Sequence, residues 1–301
     1  MRRYRSFFWP VVLITIGVIA LLTDLNVISS DRLYRLADLW PLLLIVIGLE
    51  VIARRTLHGA AVDVAAVLIV LIAAGGAVAY VSLGPAIPGG THTFDASGPV
   101  GSLKTATLQV DVGAVNMTVE GNSTLGSDLY RAHIEYSGPQ PTVTLDPSSG
   151  EVHISQQGGF AFFANRRFIV DLQISRAVTW SFNINSGAAN DTYRLTGVPV
   201  GSMEFNTGAS REELFLDQPS GKVGISFNGG ALTVLVHRPS GTEASVQVSG
   251  GAITLTADGN HEGGIGSKSW QTDGYDNATD GYQIEVNGGA CSVTVDTLPN
   301  S

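Results

Sequence analysis

Cysteine is nearly missing from this chain: Cys291 is the only one in 301 residues. No intrachain disulfide can form, so any part held outside a cell must be stabilised by packing alone. Zinc spacing is missing too, because the six histidines, at 58, 92, 133, 153, 237 and 261, are scattered. No GxSxG elbow offers a serine nucleophile. Gly263 to Ser269 is glycine-rich but lacks the Gly-Lys-Ser order of a phosphate-cradling loop, and reads as a flexible insertion. In Asn206 to Ser210, NTGAS, asparagine stands where an acid would have to activate water. Asp273, Asp276 and Asp280 lie ahead of Gly281, but Ala278 interrupts the ligand set and no glutamate closes a calcium loop. No catalytic residue, cofactor or metal site is therefore expected. Basic charge is scarce as well: 17 Lys and Arg face 26 Asp and Glu, for a net charge of −9. The balance is +2 through Leu83 and −11 beyond it, which excludes nucleic acid as a partner of the C-terminal part.

Long apolar runs are also absent after Gly84, and before it there are three. Phe7 to Thr23 and Val64 to Leu83 carry no charge, and each approaches the roughly 20 helical residues needed to cross a bilayer core. Leu39 to Ala53 is interrupted by Glu50 yet repeats the first run at an offset of 31 residues: Trp9, Pro10 and Gly17 recur as Trp40, Pro41 and Gly48. A copy of a spanning unit is expected to span. Tryptophan suits the membrane interface, proline costs no hydrogen bond in a first helical turn, and the glycines permit close helix approach. Arg2, Arg3 and Arg5 before the first run, with Arg54 and Arg55 after the second, place both ends of that hairpin in the cytoplasm. The third run then delivers the rest of the chain to the outside. The first run lacks a small-residue cleavage site and is expected to stay attached.

Three parts follow: a membrane anchor of three transmembrane helices over residues 1–83, a Gly- and Pro-rich tether over 84–99, and an extracytoplasmic domain over 100–301. The last part alternates apolar and polar residues in short stretches such as TLQVDV, WSFNIN, LTVLVH and CSVTVD, the signature of strands with one buried face. Gly-Ala steps recur at Gly113, Gly187, Gly208, Gly230, Gly251 and Gly289, four of them spaced by 21, 22 and 21 residues. That spacing predicts an all-β domain resembling a β-solenoid or β-helix, with coils of about 21 residues turning at each glycine. Counting from each alanine, the inner column reads Val115, Met117, Val119; Leu232, Val234, Val236; Ile253, Leu255, Ala257; and Cys291, Val293, Val295. Cys291 is expected as a small buried residue.

Two coils break the pattern, because Asp191 and Glu212 fall where an apolar residue belongs. Pointing inward, they would share a proton or hold a cation, each raising the other's pKa. The reading preferred on cost is that a longer turn tips both outward, leaving Tyr193, Leu195, Leu214 and Leu216 inside, since an unpaired buried carboxylate is expensive. Trp270, Tyr275 and Tyr282, near the insertion, are a candidate platform for stacking on sugar rings.

The repeated Trp-Pro hairpin, the third apolar run and the closing GYQIEVNGGACSVTVD resemble the LiaF-type membrane proteins of the bacterial envelope-stress response, whose toast-rack β domain is itself similar to candidate adhesins. The resemblance implies a non-enzymatic protein of the bacterial plasma membrane, N-terminus inside and β domain outside. It implies a regulator restraining a membrane sensor kinase, with the bilayer and other membrane proteins as partners. It brings no set of functional residues. The alternative is a membrane-anchored adhesin or cell-wall glycan binder. A polysaccharide-cleaving β-helix would need further acids beside Asp191 and Glu212 and a basic residue converging with them.

Overall fold

The computed structural model describes residues 91–156 and 167–298. Among the described residues no helix is long and apolar enough to cross a membrane. The three expected spans, with Trp9, Pro10, Gly17, Trp40, Pro41 and Gly48, lie outside the described residues.

The described part is all-β. Strands β1 (His92–Pro99), β2 (Thr105–Asn122), β3 (Asp128–Tyr136), β4 (Thr142–Asp146), β5 (Glu151–Ser155) and β6 (Phe168–Ser175) form its first half. Strands β7 (Thr179–Arg194), β8 (Val200–Phe215), β9 (Lys222–Arg238), β10 (Ala244–Ala257), β11 (Asn260–Gln271) and β12 (Gly281–Thr297) form the second, with one 3-10 turn at Tyr275–Asn277. They make one open sheet in the order β1-β3-β6-β2-β7-β8-β9-β12-β10-β11, with β4 and β5 paired at the side of β2. Its centre, β2-β7-β8-β9-β12-β10, is entirely parallel.

The Gly-Ala steps set the register. Ala114, Ala188, Ala209, Ala231, Ala290 and Ala252 are paired in succession across the six parallel strands. At each step the parity of burial switches. In β7, Trp180, Phe182, Ile184 and Ser186 are buried before it and Ala189, Asp191 and Tyr193 after it, while Gly187 and Ala188 are exposed. Each long strand is therefore two half-strands meeting at a corner, and both halves line one hydrophobic core. The glycines are needed because coils approach closely there. A Cβ would lie 2.6 Å from the carbonyl oxygen of Gly113 at Gly187, 2.5 Å from that of Gly187 at Gly208, and 2.8 Å from that of Gly208 at Gly230.

Two expectations are corrected, and two features of the stacking are added. Residues 92–99, assigned to the tether, form β1, whose Thr93 to Gly98 pair with Glu135 to Tyr130 of β3 and so leave the linker at Thr91. The flexible insertion is strand β11, antiparallel to β10. Coils do not stack in chain order, because β12 enters between β9 and β10. Beside β2 one coil is split: β5 pairs its first half and β6 its second. The predicted inner column itself is buried throughout, Cys291 included.

Candidate functional site

The row three residues beyond each corner alanine runs Met117, Asp191, Glu212, Val234, Val293, Leu255 across β2, β7, β8, β9, β12 and β10. Strand alternation turns every member of that row inward. Asp191 is 1% exposed and Glu212 is 0% exposed, so the expected outward tip does not occur. Tyr193, Leu195, Leu214 and Leu216 are buried as well, so the acids join the inner face without displacing the apolar residues. No longer turn intervenes: Asp191 pairs with Glu212 in the same unbroken register that aligns Ala188 with Ala209.

The two carboxyls differ in their partners. Asp191 Oδ1 accepts the backbone N–H of Met117 at 2.8 Å, and the Tyr193 hydroxyl approaches Oδ2 at 3.5 Å. Both oxygens of Glu212 are buried without a hydrogen-bond partner among the described residues. Burial pushes Asp191 up to about 7, against the Met117 and Tyr193 hydrogen bonds that pull it down. Burial, and then the charge of Asp191, push Glu212 well above the usual carboxylate range. Protonation is how the domain meets the desolvation cost: a neutral carboxyl in a low-dielectric interior costs far less than an ionised one. The aromatic rings above the pair keep water away, with Tyr193 edge-on to Phe182 at 5.8 Å and to Phe205 at 5.4 Å.

Chemically the pair is a proton-binding centre. Among the described residues no group of three or more His, Cys, Asp or Glu is placed to hold a metal ion. Two acids without a third protein ligand make a poor cage for a hard cation, which takes six or more oxygens. Among the described residues no basic side chain forms an ion pair with either acid, as the glycosidase reading required.

The aromatic platform is not assembled. Tyr282 is 1% exposed and donates its hydroxyl to the Asp217 carbonyl at 2.7 Å, a core position. Tyr275 has its ring face covered by Lys222 Nζ at 3.5 Å. Trp270 is half-buried on β11, opposite Val246, with the Arg238 guanidinium 5.8 Å from its ring. Of the acids before Gly281, Asp280 accepts the Gly221 N–H and Asp276 an amide hydrogen of Gln271.

Two outer features were missed by sequence reasoning. Asn206 donates to Asn185, Asn228 to Asn206 and Asn287 to Asn228, at 3.2, 3.1 and 3.3 Å, and Asn185 donates to Asp111 at 2.9 Å. The signal was present as an asparagine three residues ahead of four corner alanines. Three histidines also pair with aspartates across adjacent strands: His133 with Asp95, His153 with Asp111 and His237 with Asp296. Each pair spans sequence-distant strands, so no local spacing announces it. The Asp95 hydrogen bond raises the His133 pKa, and the charges of Asp95, Glu135 and Asp171 add to that.

Corner-folded parallel coils with an acid pair in a largely apolar interior define an all-β, solenoid-like domain with no assembled catalytic constellation among its described residues. The chain belongs to the toast_rack family: the family model described as the N-terminal domain of toast_rack, DUF2154, matches residues 87–237. A second model, the LiaI-LiaF-like transmembrane region, matches residues 7–52 and supports membrane association of that segment. Among solved structures, a candidate cell adhesion protein from Clostridium sporogenes ATCC 15579 is similar, at 16% identity and a TM-score of 0.53 over 69% of this chain and 100% of that one. That likeness is one of fold. A candidate adhesin from Bacteroides fragilis NCTC 9343 aligns at 11% identity over 69% of this chain and 97% of that one, with a TM-score of only 0.25. No curated protein matches.

Proposed function

We propose that this is a non-enzymatic regulator of the bacterial envelope-stress response, held in the plasma membrane by its N-terminal helices, with the β domain on the outer side. In this reading the anchor contacts the helices of a membrane sensor kinase and restrains it, and the external domain responds to the state of the envelope. The observation that carries the reading is the presence, on one chain, of a LiaI-LiaF-like transmembrane-region match followed by a toast_rack domain. The −11 charge beyond Leu83 suits an aqueous envelope compartment, and the arginine placement around the first two apolar runs supports the orientation.

Three measurements test it together. Protease added to intact spheroplasts should remove the domain beyond residue 90, and crosslinking of the full chain in membranes should recover a sensor kinase. Deleting the gene should switch on an envelope-stress reporter without added stress. A protected domain, or a silent reporter with no kinase recovered, overturns the proposal. The glycan-binding alternative has lost its stacking platform, since Tyr282 lies in the core.

A further inference from the structure

The parallel stack ends in two unlike edges. At one, β1 finishes in Gly98 and Pro99 with a register shift between them, and its Asp95 is already paired with His133. Proline supplies no N–H, so this edge is a poor template. At the other, β11 pairs on one side with β10 and, among the described residues, has no strand on the other. It carries Ile265, which at 81% exposure is the one large hydrophobic residue left in solvent among the described residues. It also carries two opposite charges, Glu262 and Lys268, neither of which forms an ion pair among the described residues.

These residues have a symmetry. Glu262 and Lys268 stand equally far from Ile265 on either side, and so do Gly264 and Gly266. An antiparallel strand of the same sequence, centred on Ile265, would set Ile265 against Ile265 and Glu262 against Lys268 twice, once at each end. Gly264 would face Gly266, two positive-φ positions with no side chain to clash. Shifting the register by one or two residues loses both ion pairs. Opposite charges directly across an antiparallel pair contribute favourably, and isologous two-fold contacts are the commonest way identical chains associate. The route around the corner is already taken once, because β11 follows β10 antiparallel through the same bend, with Gly266 beside Gly250 and Gly264 beside Ile253.

We propose that β11 is a self-association edge, pairing antiparallel with β11 of a second copy about a two-fold axis at Ile265. The two open stack ends then close on each other. This inference does not depend on the proposed regulatory function.

Disulfide trapping of the full chain in its membrane tests it. Ile265→Cys should give a disulfide-linked dimer under mild oxidation, at least ten-fold above the unaltered chain, whose only thiol, Cys291, is buried. Ile265 is exposed, so the substitution leaves the core alone. The His261→Cys thiols should not link, because His261 faces Ser269 in this register. In the Ile265→Cys background, Glu262→Lys or Lys268→Glu should cut the yield about five-fold, and the double reversal should restore it. Equal linking at 261 and 265, no linking at 265, indifference to charge reversal, or linkage of Ile265→Cys to a different protein would each overturn the proposal.

Discussion

Two adjoining stretches of this sheet use the same backbone for different ends. In β9, β12 and β10 the row three residues past the corner is Val234, Val293 and Leu255, and the interior beside that row is apolar, with a buried charge only at Arg238, the last residue of β9. In β7 and β8 the same row holds Asp191 and Glu212, in register with those residues and just as buried. The corner column does not discriminate between them. The coil geometry is therefore set by glycine at the corners and by alternation along the strands, and one stretch of interior is free to bind protons while its neighbour only packs.

The comparison is tested most severely from the apolar side. Phe227 of β9 is fully buried and stacks on Phe205 of β8 at a centroid distance of 4.6 Å. Phe227→Ala should cost about 3–5 kcal/mol in denaturant unfolding of residues 90–301. The loss should be the same at pH 5 and pH 8, since no titrating group is removed. A pH-dependent loss would mean that the apolar and acidic stretches are not separate.

The acidic side should give the opposite signature. Asp191 and Glu212 both have folded pKa values above their unfolded values, so the folded domain binds more protons than the unfolded chain. Their stabilisation is fully present below the unfolded carboxylate pKa, near 4; that of Asp191 is lost as pH rises through about 7, and that of Glu212 as pH rises through its own raised pKa. The loss should be on the order of 1.4 kcal/mol per pH unit for one group. Tyr193 is the titratable neighbour in contact with the pair, and burial raises its pKa, so it stays neutral across this window. Thermal melts of the unaltered domain from pH 5 to pH 8 should therefore fall steadily. A flat profile would show that the folded domain binds no more protons than the unfolded chain, so that burial does not raise the pair's pKa values. At pH 8, Glu212→Leu should stabilise by about 1–3 kcal/mol, because it replaces an unpartnered buried acid with an apolar side chain. At pH 5 the gain should shrink, because close to its unfolded pKa a glutamate costs the fold little to keep protonated.

Much of this was legible in the sequence. The corner column and the inward residues follow from glycine spacing and period-two alternation, which depend only on local chain geometry. Alternation also pointed Asp191 and Glu212 inward, and the contrary expectation priced both as charged, whereas burial raises both pKa values and so favours the protonated forms. Glycine at the corners was legible as a requirement, but its cause at Gly187, Gly208, Gly230 and Gly289, a carbonyl of the neighbouring coil 2.5 to 2.8 Å from any Cβ, is a packing fact between strands. The entry of β12 between β9 and β10 was hidden, because parallel strands with the same pattern are interchangeable until side chains meet. Tyr282 carried no mark separating a core aromatic from an exposed one. It occupies an inward position of β12, which the 38-residue gap in the corner spacing concealed.

The smallest effect is expected on the outer surface, where the asparagine ladder crosses from the acidic stretch into the apolar one. Asn206 accepts from Asn228 of β9 and donates to Asn185 of β7, so it joins coils whose interiors differ. Both hydrogen bonds are partly exposed, and water replaces them at little cost when one partner is removed. Asn206→Ala should therefore cost about 1 kcal/mol and leave the pH slope unchanged. Asn287→Ala, at the last rung on the β12 side, should cost less, since it removes only the bond donated to Asn228. If Asn206→Ala instead abolished the pH slope, the surface ladder and the buried acids would be one coupled unit, and the division drawn between a titrating interior and a passive shell would have to be withdrawn.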